Sequence, residues 1–158
     1  MMVAVYLVAG CCFAPLVLVL WARRCLVMVA VDGESMAPTF HNGDRLLVRR
    51  TRLARVRPQD VVVVKSLDQF LEHGVVPDNR ARYMVKRAVS VPGDPVPLER
   101  VPLLASVTEN SVPGGRLVLL GDNPQSYDSR HFGYCPGELL VGVVVRRIVK
   151  WKLTTKEM

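Results

Sequence analysis

Residues 83 to 91 read YMVKRAVSV, and the run closes on Pro92, Gly93 and Asp94. Aliphatic and β-branched side chains surround a single pair of cations, and a proline-glycine pair stops the pattern. A short apolar run bounded in this way is a strand rather than a helix. The same pattern repeats on both sides. LVMVAV (26–31), RLLVRR (45–50), DVVVVKS (60–66), RLVLLGD (116–122) and LLVGVVVRRIV (139–149) are each rich in aliphatic residues and bounded by Gly, Pro, Asn or Asp. No window of helical length beyond the N-terminal stretch has a 3.6-residue period. The aromatic share of 6% against an apolar share of 50% implies an aliphatic, largely β core. With 158 residues, the chain holds one modest domain. The segments 67–82 and 95–115 are polar or proline-rich and are expected to be exposed loops.

The first 22 residues carry no charged side chain. As a helix they would rise about 33 Å, enough to cross a hydrocarbon core of about 30 Å. We expect a transmembrane anchor over 1–22, kinked at Pro15, rather than a cleaved leader, because no Lys or Arg precedes the apolar run. A soluble domain over 26–150 and a basic tail over 151–158 follow. Arg23 and Arg24 come directly after the anchor, which taken alone would leave the domain in the cytoplasm.

The net charge of +7 is concentrated. Arg45, Arg49, Arg50, Arg52, Arg55 and Arg57 form one cluster with no intervening acid, and a second cluster lies near the C-terminus. The clusters lack interleaved aromatics and no nucleic-acid motif accompanies them, so we expect no nucleic-acid partner. Anionic lipid headgroups and a plainly solvated face remain as readings. Cys11, Cys12, Cys25 and Cys135, with His41, His73 and His131, have no metal-ligand spacing, so no metal site is expected.

Ser35 stands in VDGESMAPTF (31–40), between an acidic turn and a proline. Near Gly and Pro a serine is usually a turn hydroxyl; as a nucleophile it needs a base. His131 is the histidine with a nearby carboxylate, Asp128, and would complete a Ser-His-Asp set. Lys86 is the other candidate. Its aliphatic neighbours would desolvate the ammonium and lower its pKa, the usual route to a lysine base. In a strand Lys86 and Arg87 point to opposite faces, so one can face a dry site and the other water. Both could equally be ordinary surface cations.

Taken together, S-M-x-P-T at Ser35 to Thr39, G-D at Gly43 to Asp44, K-R-x4-P-G-D at Lys86 to Asp94, and G-D-N with S-x-D-S-R at Gly121 to Arg130 resemble the ordered boxes of type I signal peptidases. The resemblance covers roughly residues 27 to 147. It implies a membrane-bound serine endopeptidase with a Ser/Lys dyad, in a short minimal-core bacterial form, that removes signal peptides from exported preproteins at Ala-x-Ala-like sites. It implies an all-β catalytic domain of coiled antiparallel sheets, preceded by one N-terminal transmembrane helix, and no cofactor. The implied roles are Ser35 as nucleophile, its backbone N–H in the oxyanion hole, Lys86 as general base, Ser126 orienting the amine, and Asp128 and Arg130 supporting the site. Met36, Tyr83 and Val85 would contact substrate, while Pro38 and Thr39 fix the turn. Preprotein substrates and the lipid bilayer are the implied partners. The domain would lie on the extracytoplasmic face of the plasma membrane despite Arg23 and Arg24.

This sequence departs from the family at Gly33, where some members carry an oxyanion-donating serine. The spacing before Ser126 is one residue short, and only 26 residues separate Asp94 from Gly121, too few for a large accessory domain. Two other readings are an inactive membrane-anchored partner subunit and a LexA-like self-cleaving Ser/Lys peptidase. The first would ordinarily have lost Ser35 or Lys86, and the second needs a DNA-binding domain and cleavable linker that this sequence lacks.

Overall fold

The computed structural model describes residues 23–66, 83–106 and 109–149. The anchor expected over 1–22, the loop over 67–82 and the tail over 151–158 lie outside the described residues. Among the described residues no helix is long and apolar enough to cross a membrane.

The described residues of the domain form a seven-stranded antiparallel sheet. Its strands are β1 (Leu26–Ala30), β2 (Arg45–Arg50), β3 (Val61–Lys65), β4 (Tyr83–Ser90), β5 (Arg116–Leu120), β6 (Cys135–Pro136) and β7 (Leu140–Val149). Their spatial order is β1-β2-β7-β3-β4-β5-β6. The long strand β7 joins the two halves of the sheet, pairing with β2 on one side and β3 on the other. At the handover Gly142 lies opposite both Arg50 and Val63. A side chain there would overlap the Arg49 carbonyl, so glycine is what lets the three backbones close up. Register shifts in the β2–β7 and β3–β7 ladders bend the sheet and give it its curl.

Because the sheet curls, its central strands are covered on both faces. Val62 and Val64 of β3 pack with Ala88, Leu117, Leu119 and Cys135, whereas Val63 packs with Val29, Leu46, Val48 and Val85. These three of the four β3 valines are fully buried and Val61 is partly so, which explains an uninterrupted valine run where a half-exposed strand would alternate. Each such burial contributes on the order of 1.5 kcal/mol or more.

The segment 95–115 corrects the expectation of an exposed loop. Val101, Leu104 and Val112 are buried there against Val89, Val118 and Leu120. Gly93 and Val112 fold it back through backbone bonds of 2.9 and 2.8 Å, from Gly93 N to Val112 O and from Val112 N to Asp94 O. Its many prolines set the turns between these apolar anchors rather than keeping the chain in water.

Candidate active site

Ser35 is presented by a loop that leaves β1 and returns to β2. The loop is closed at its base, where Val31 N donates to Asp44 O at 2.8 Å and Gly43 N to Val31 O at 2.9 Å. Gly33 has φ +89°, a left-handed conformation that a serine would adopt only with strain. The glycine at this departure from the family pattern is therefore the residue its backbone calls for. Past Ser35 the chain turns through a cis Ala37–Pro38 peptide, and Phe40 N donates to Met36 O at 2.9 Å. Met36 is wholly buried with Val31, Val63 and Val85, so it pins the turn into the core from below and does not line the cleft. Ser35 itself is half-buried.

A second segment, Gly121 to Asn123, braces this turn from the side. Asn123 donates from its backbone N to Ser35 O at 3.2 Å and from Nδ2 to Glu34 O at 3.0 Å. Thr39 Oγ1 donates to Asp122 Oδ2. Asp122 is in turn gripped by Arg87, with Nε to Oδ1 at 2.8 Å and Nη2 to Oδ2 at 2.7 Å. The hydrogen bond from Arg87, helped by Thr39, holds the Asp122 carboxyl below its usual pKa against the opposing effect of burial. Arg87 thus does not face open water, as alternation alone suggested. Its outward turn from β4 ends on a carboxylate and on the Gln59 carbonyl at 3.0 Å.

Lys86, the neighbouring β4 residue, is 3% exposed. Its Nζ donates to Ser126 Oγ at 2.6 Å. Burial strips water from the ammonium and lowers the Lys86 pKa; the Asp128 carboxylate opposes this, and the Arg130 guanidinium reinforces it. Ser126 is equally buried, and Gly121 passes so close to it that a Cβ at 121 would overlap Ser126 Oγ and the Ser35 carbonyl. Gly121 is the point where the serine turn and the lysine's partner come together.

Asp128 caps the short helix α1 (Ser129–Phe132), accepting from Arg130 N at 3.1 Å. The same carboxylate accepts from Gly121 N at 2.7 Å and from Arg130 Nε and Nη2 at 2.9 and 2.7 Å. Burial alone would push its pKa up, but these donors outweigh burial and hold it below the ordinary carboxyl value. Arg130 also reaches the Asn123 carbonyl at 3.2 Å. Both carboxylate oxygens of Asp128 are thus satisfied without the His131 side chain. His131 is exposed, its Nδ1 faces the Asp128 backbone N–H at 3.5 Å, and its ring lies against Tyr127. The Ser-His-Asp set expected as one alternative is therefore not assembled.

Ser35 and Lys86 line one cleft of about 280 Å³, together with Val31, Tyr83, Val85 and Tyr127. Tyr83 and Tyr127 are about half exposed and form its rim. The β4 segment Tyr83 to Val85 pairs with Lys65 to Val63 of β3, while β5 joins β4 only from Arg87 onward. Among the described residues the cleft is thus bordered by a strand with one edge open. On the other side it is bordered by the end of β1, the terminal strand of the sheet.

Comparison with known sequences gives the family. The family described as signal peptidase, peptidase S26, matches residues 3–103 and 97–149, most of the chain. The chain belongs to this family. It is 32% identical over 123 residues to the mitochondrial ATP-independent inner membrane protease subunit 1a of Arabidopsis thaliana, covering 75% of this chain and 67% of that protein. It is 29% identical over 147 residues to signal peptidase I V of Bacillus subtilis (72% and 80% covered). To signal peptidase I of Bacillus caldolyticus it is 27% identical over 170 residues (88% and 85% covered). As a member of the S26 peptidases it is a serine endopeptidase.

Sequence reasoning left out two residues on which the geometry of this S26 peptidase turns. Asp122 looked like part of a motif, and only folding brings it between Thr39 and Arg87, 83 and 35 residues away. Gly121 looked like a turn glycine, whereas its role is close approach. Tyr127 was also passed over; an aromatic between two anchored residues was the available signal.

Proposed function

We propose that this peptidase removes signal or leader peptides from exported preproteins by a Ser/Lys mechanism, with Ser35 as nucleophile and Lys86 as general base. The observation that carries the reading is Lys86 itself: a buried amine with a lowered pKa, held by Ser126 and opening into the cleft that holds Ser35. A neutral amine there takes the Ser35 proton as the hydroxyl attacks the scissile carbonyl. The ammonium so formed gives its proton to the leaving amine, and the regenerated base then activates water to hydrolyse the Ser35 ester. Ser126 fixes the direction of the Lys86 lone pair, and Asp128 with Arg130 holds the Gly121 and Asn123 backbone to which Ser126 is tied. The Ser35 backbone N–H supplies an oxyanion donor. With glycine at 33, no side-chain hydroxyl is available from that position to assist it.

An extended substrate segment fits between the open edges beside Val31 and at Tyr83 to Val85, pairing its backbone with both. Small side chains suit the shallow aliphatic walls, in keeping with Ala-x-Ala-like sites. The uncharged stretch 1–22 serves as a membrane anchor, with the domain over 26–150 on the extracytoplasmic face, where exported precursors emerge.

The test is cleavage of a preprotein bearing an Ala-x-Ala site by the detergent-solubilised chain, with Ser35→Ala and Lys86→Ala alongside. Cleavage lost in both variants supports the dyad. An active Lys86→Ala enzyme would remove Lys86 as base, and an inactive but folded wild type across several precursors would favour a partner subunit.

A further inference from the structure

The register of β1 on β2 places Leu26 opposite Arg49. The end of β2 therefore lies beside the start of β1, next to the point where the chain leaves its uncharged first 22 residues through Arg23 and Arg24. Past β2 the chain makes a 3-10 turn at Leu53–Arg55, and Arg50, Thr51, Arg52 and Arg55 line an open hollow of about 670 Å³. The backbone of this turn is fixed. Arg55 N donates to Arg52 O and Val56 N to Leu53 O, each at 3.0 Å, while Leu53 and Val56 pack into the core. The guanidinium groups around the hollow are exposed, and among the described residues none of them forms an ion pair. No acid falls between Arg45 and Arg57. Guanidinium forks arranged around a hollow without a carboxylate match phosphate oxygens.

We propose that this arginine-lined hollow binds the phosphate headgroups of anionic phospholipids and seats the domain on the bilayer that holds its first 22 residues. The proposal rests on the anchor reading given above. Two observations favour lipid over nucleic acid. The hollow lies at the exit of the uncharged stretch, where a bilayer surface would be, and no aromatic lines it for bases to stack on. Met28 of β1, two residues along from Leu26, is exposed and adds an apolar side chain suited to the acyl boundary.

The test is hydrogen exchange on the full chain reconstituted in vesicles of phosphatidylcholine alone or mixed with phosphatidylglycerol. Anionic lipid is expected to slow exchange over residues 49–57 several-fold, with the effect lost at high salt and in an Arg50→Gln/Arg52→Gln/Arg55→Gln variant. Each arginine is expected to account for about fivefold in headgroup affinity. Unchanged exchange in β3 and β4 shows that the variant is folded. Reconstitution in both vesicle types with equal exchange over 49–57 overturns the headgroup site while leaving the anchor intact. Failure to enter either vesicle overturns both. Equal protection by inorganic phosphate in neutral vesicles, or tighter protection by a short DNA duplex, would assign the hollow to a different anion and overturn the lipid reading.

Discussion

Lys86 and Arg87 are consecutive in β4, yet they hold opposite halves of one site: Lys86 Nζ reaches Ser126 at 2.6 Å, and Arg87 grips Asp122 at 2.7 and 2.8 Å. Asp122 carries Thr39 at the end of the Ser35 turn, so a single strand fixes both the amine and the loop that presents the hydroxyl. Strand alternation sends the two side chains apart, and the Gly121 to Ser126 segment bends around to meet both.

The pH dependence of kcat/KM follows from the state of Lys86. On the proposed mechanism the neutral amine is the active form, so activity is expected to rise with pH through the lowered Lys86 pKa, on an acid limb below the ordinary lysine range. The Asp128 carboxylate favours the ammonium, so Asp128→Asn removes that support and moves the acid limb to still lower pH. A pH profile of the two enzymes checks this, and an unmoved limb would detach Lys86 from it.

Ser126→Ala is expected to lower kcat by about a hundredfold with a smaller change in KM, because it frees the amine without removing it. Steady-state kinetics on a peptide substrate separates this from a binding defect.

Gly121→Ala should be among the most damaging single-methyl changes in the chain. The added carbon overlaps Ser126 Oγ and the Ser35 carbonyl, and overpacking at a rigid site costs about 1–3 kcal/mol. Thermal unfolding together with activity should show a modest loss of stability and a nearly complete loss of turnover.

Arg130→Gln leaves the Asp128 carboxylate buried with its strongest donors gone, at a cost of about 3 kcal/mol. In the wild type the folded Asp128 pKa lies below its unfolded value. The stability it contributes is present above the unfolded value and is lost as pH falls through the folded one. In the variant burial raises the folded pKa, so less stability is lost on acidification, and the gap to the wild type is widest near neutral pH and closes as Asp128 is protonated. Urea titrations at descending pH check this.

Arg87→Lys keeps the charge but gives up the two-pronged grip on Asp122, and is expected to cost about 1–2 kcal/mol together with part of kcat. Full activity in that variant would show that the Ser35 turn does not depend on Asp122.

The strands could be read from the chain because each is a local run of β-branched residues, and β1 to β5 and β7 lie within a residue or two of where the pattern placed them. Two elements could not. Helix α1 has only 4 residues and β6 only 2, too short for any period to register. The buried part of 95–115 was concealed because Val101, Leu104 and Val112 are spaced by prolines and turns, and their partners lie in β4 and β5. At the site, the boxes pointed to Ser35, Lys86 and Ser126, but the Arg87–Asp122–Thr39 chain is visible only in three dimensions.

Asn123 ties itself to Glu34 and Ser35 across nearly 90 residues of sequence, and Ser126 meets Lys86 across 40. A chain still being made acquires its serine early and its lysine later, and the segment that sets them against each other later still. On the proposed mechanism the peptidase is therefore inert through most of its own synthesis. Hydrolytic capacity appears only once the Gly121 to Ser126 segment has folded against both the serine and the lysine.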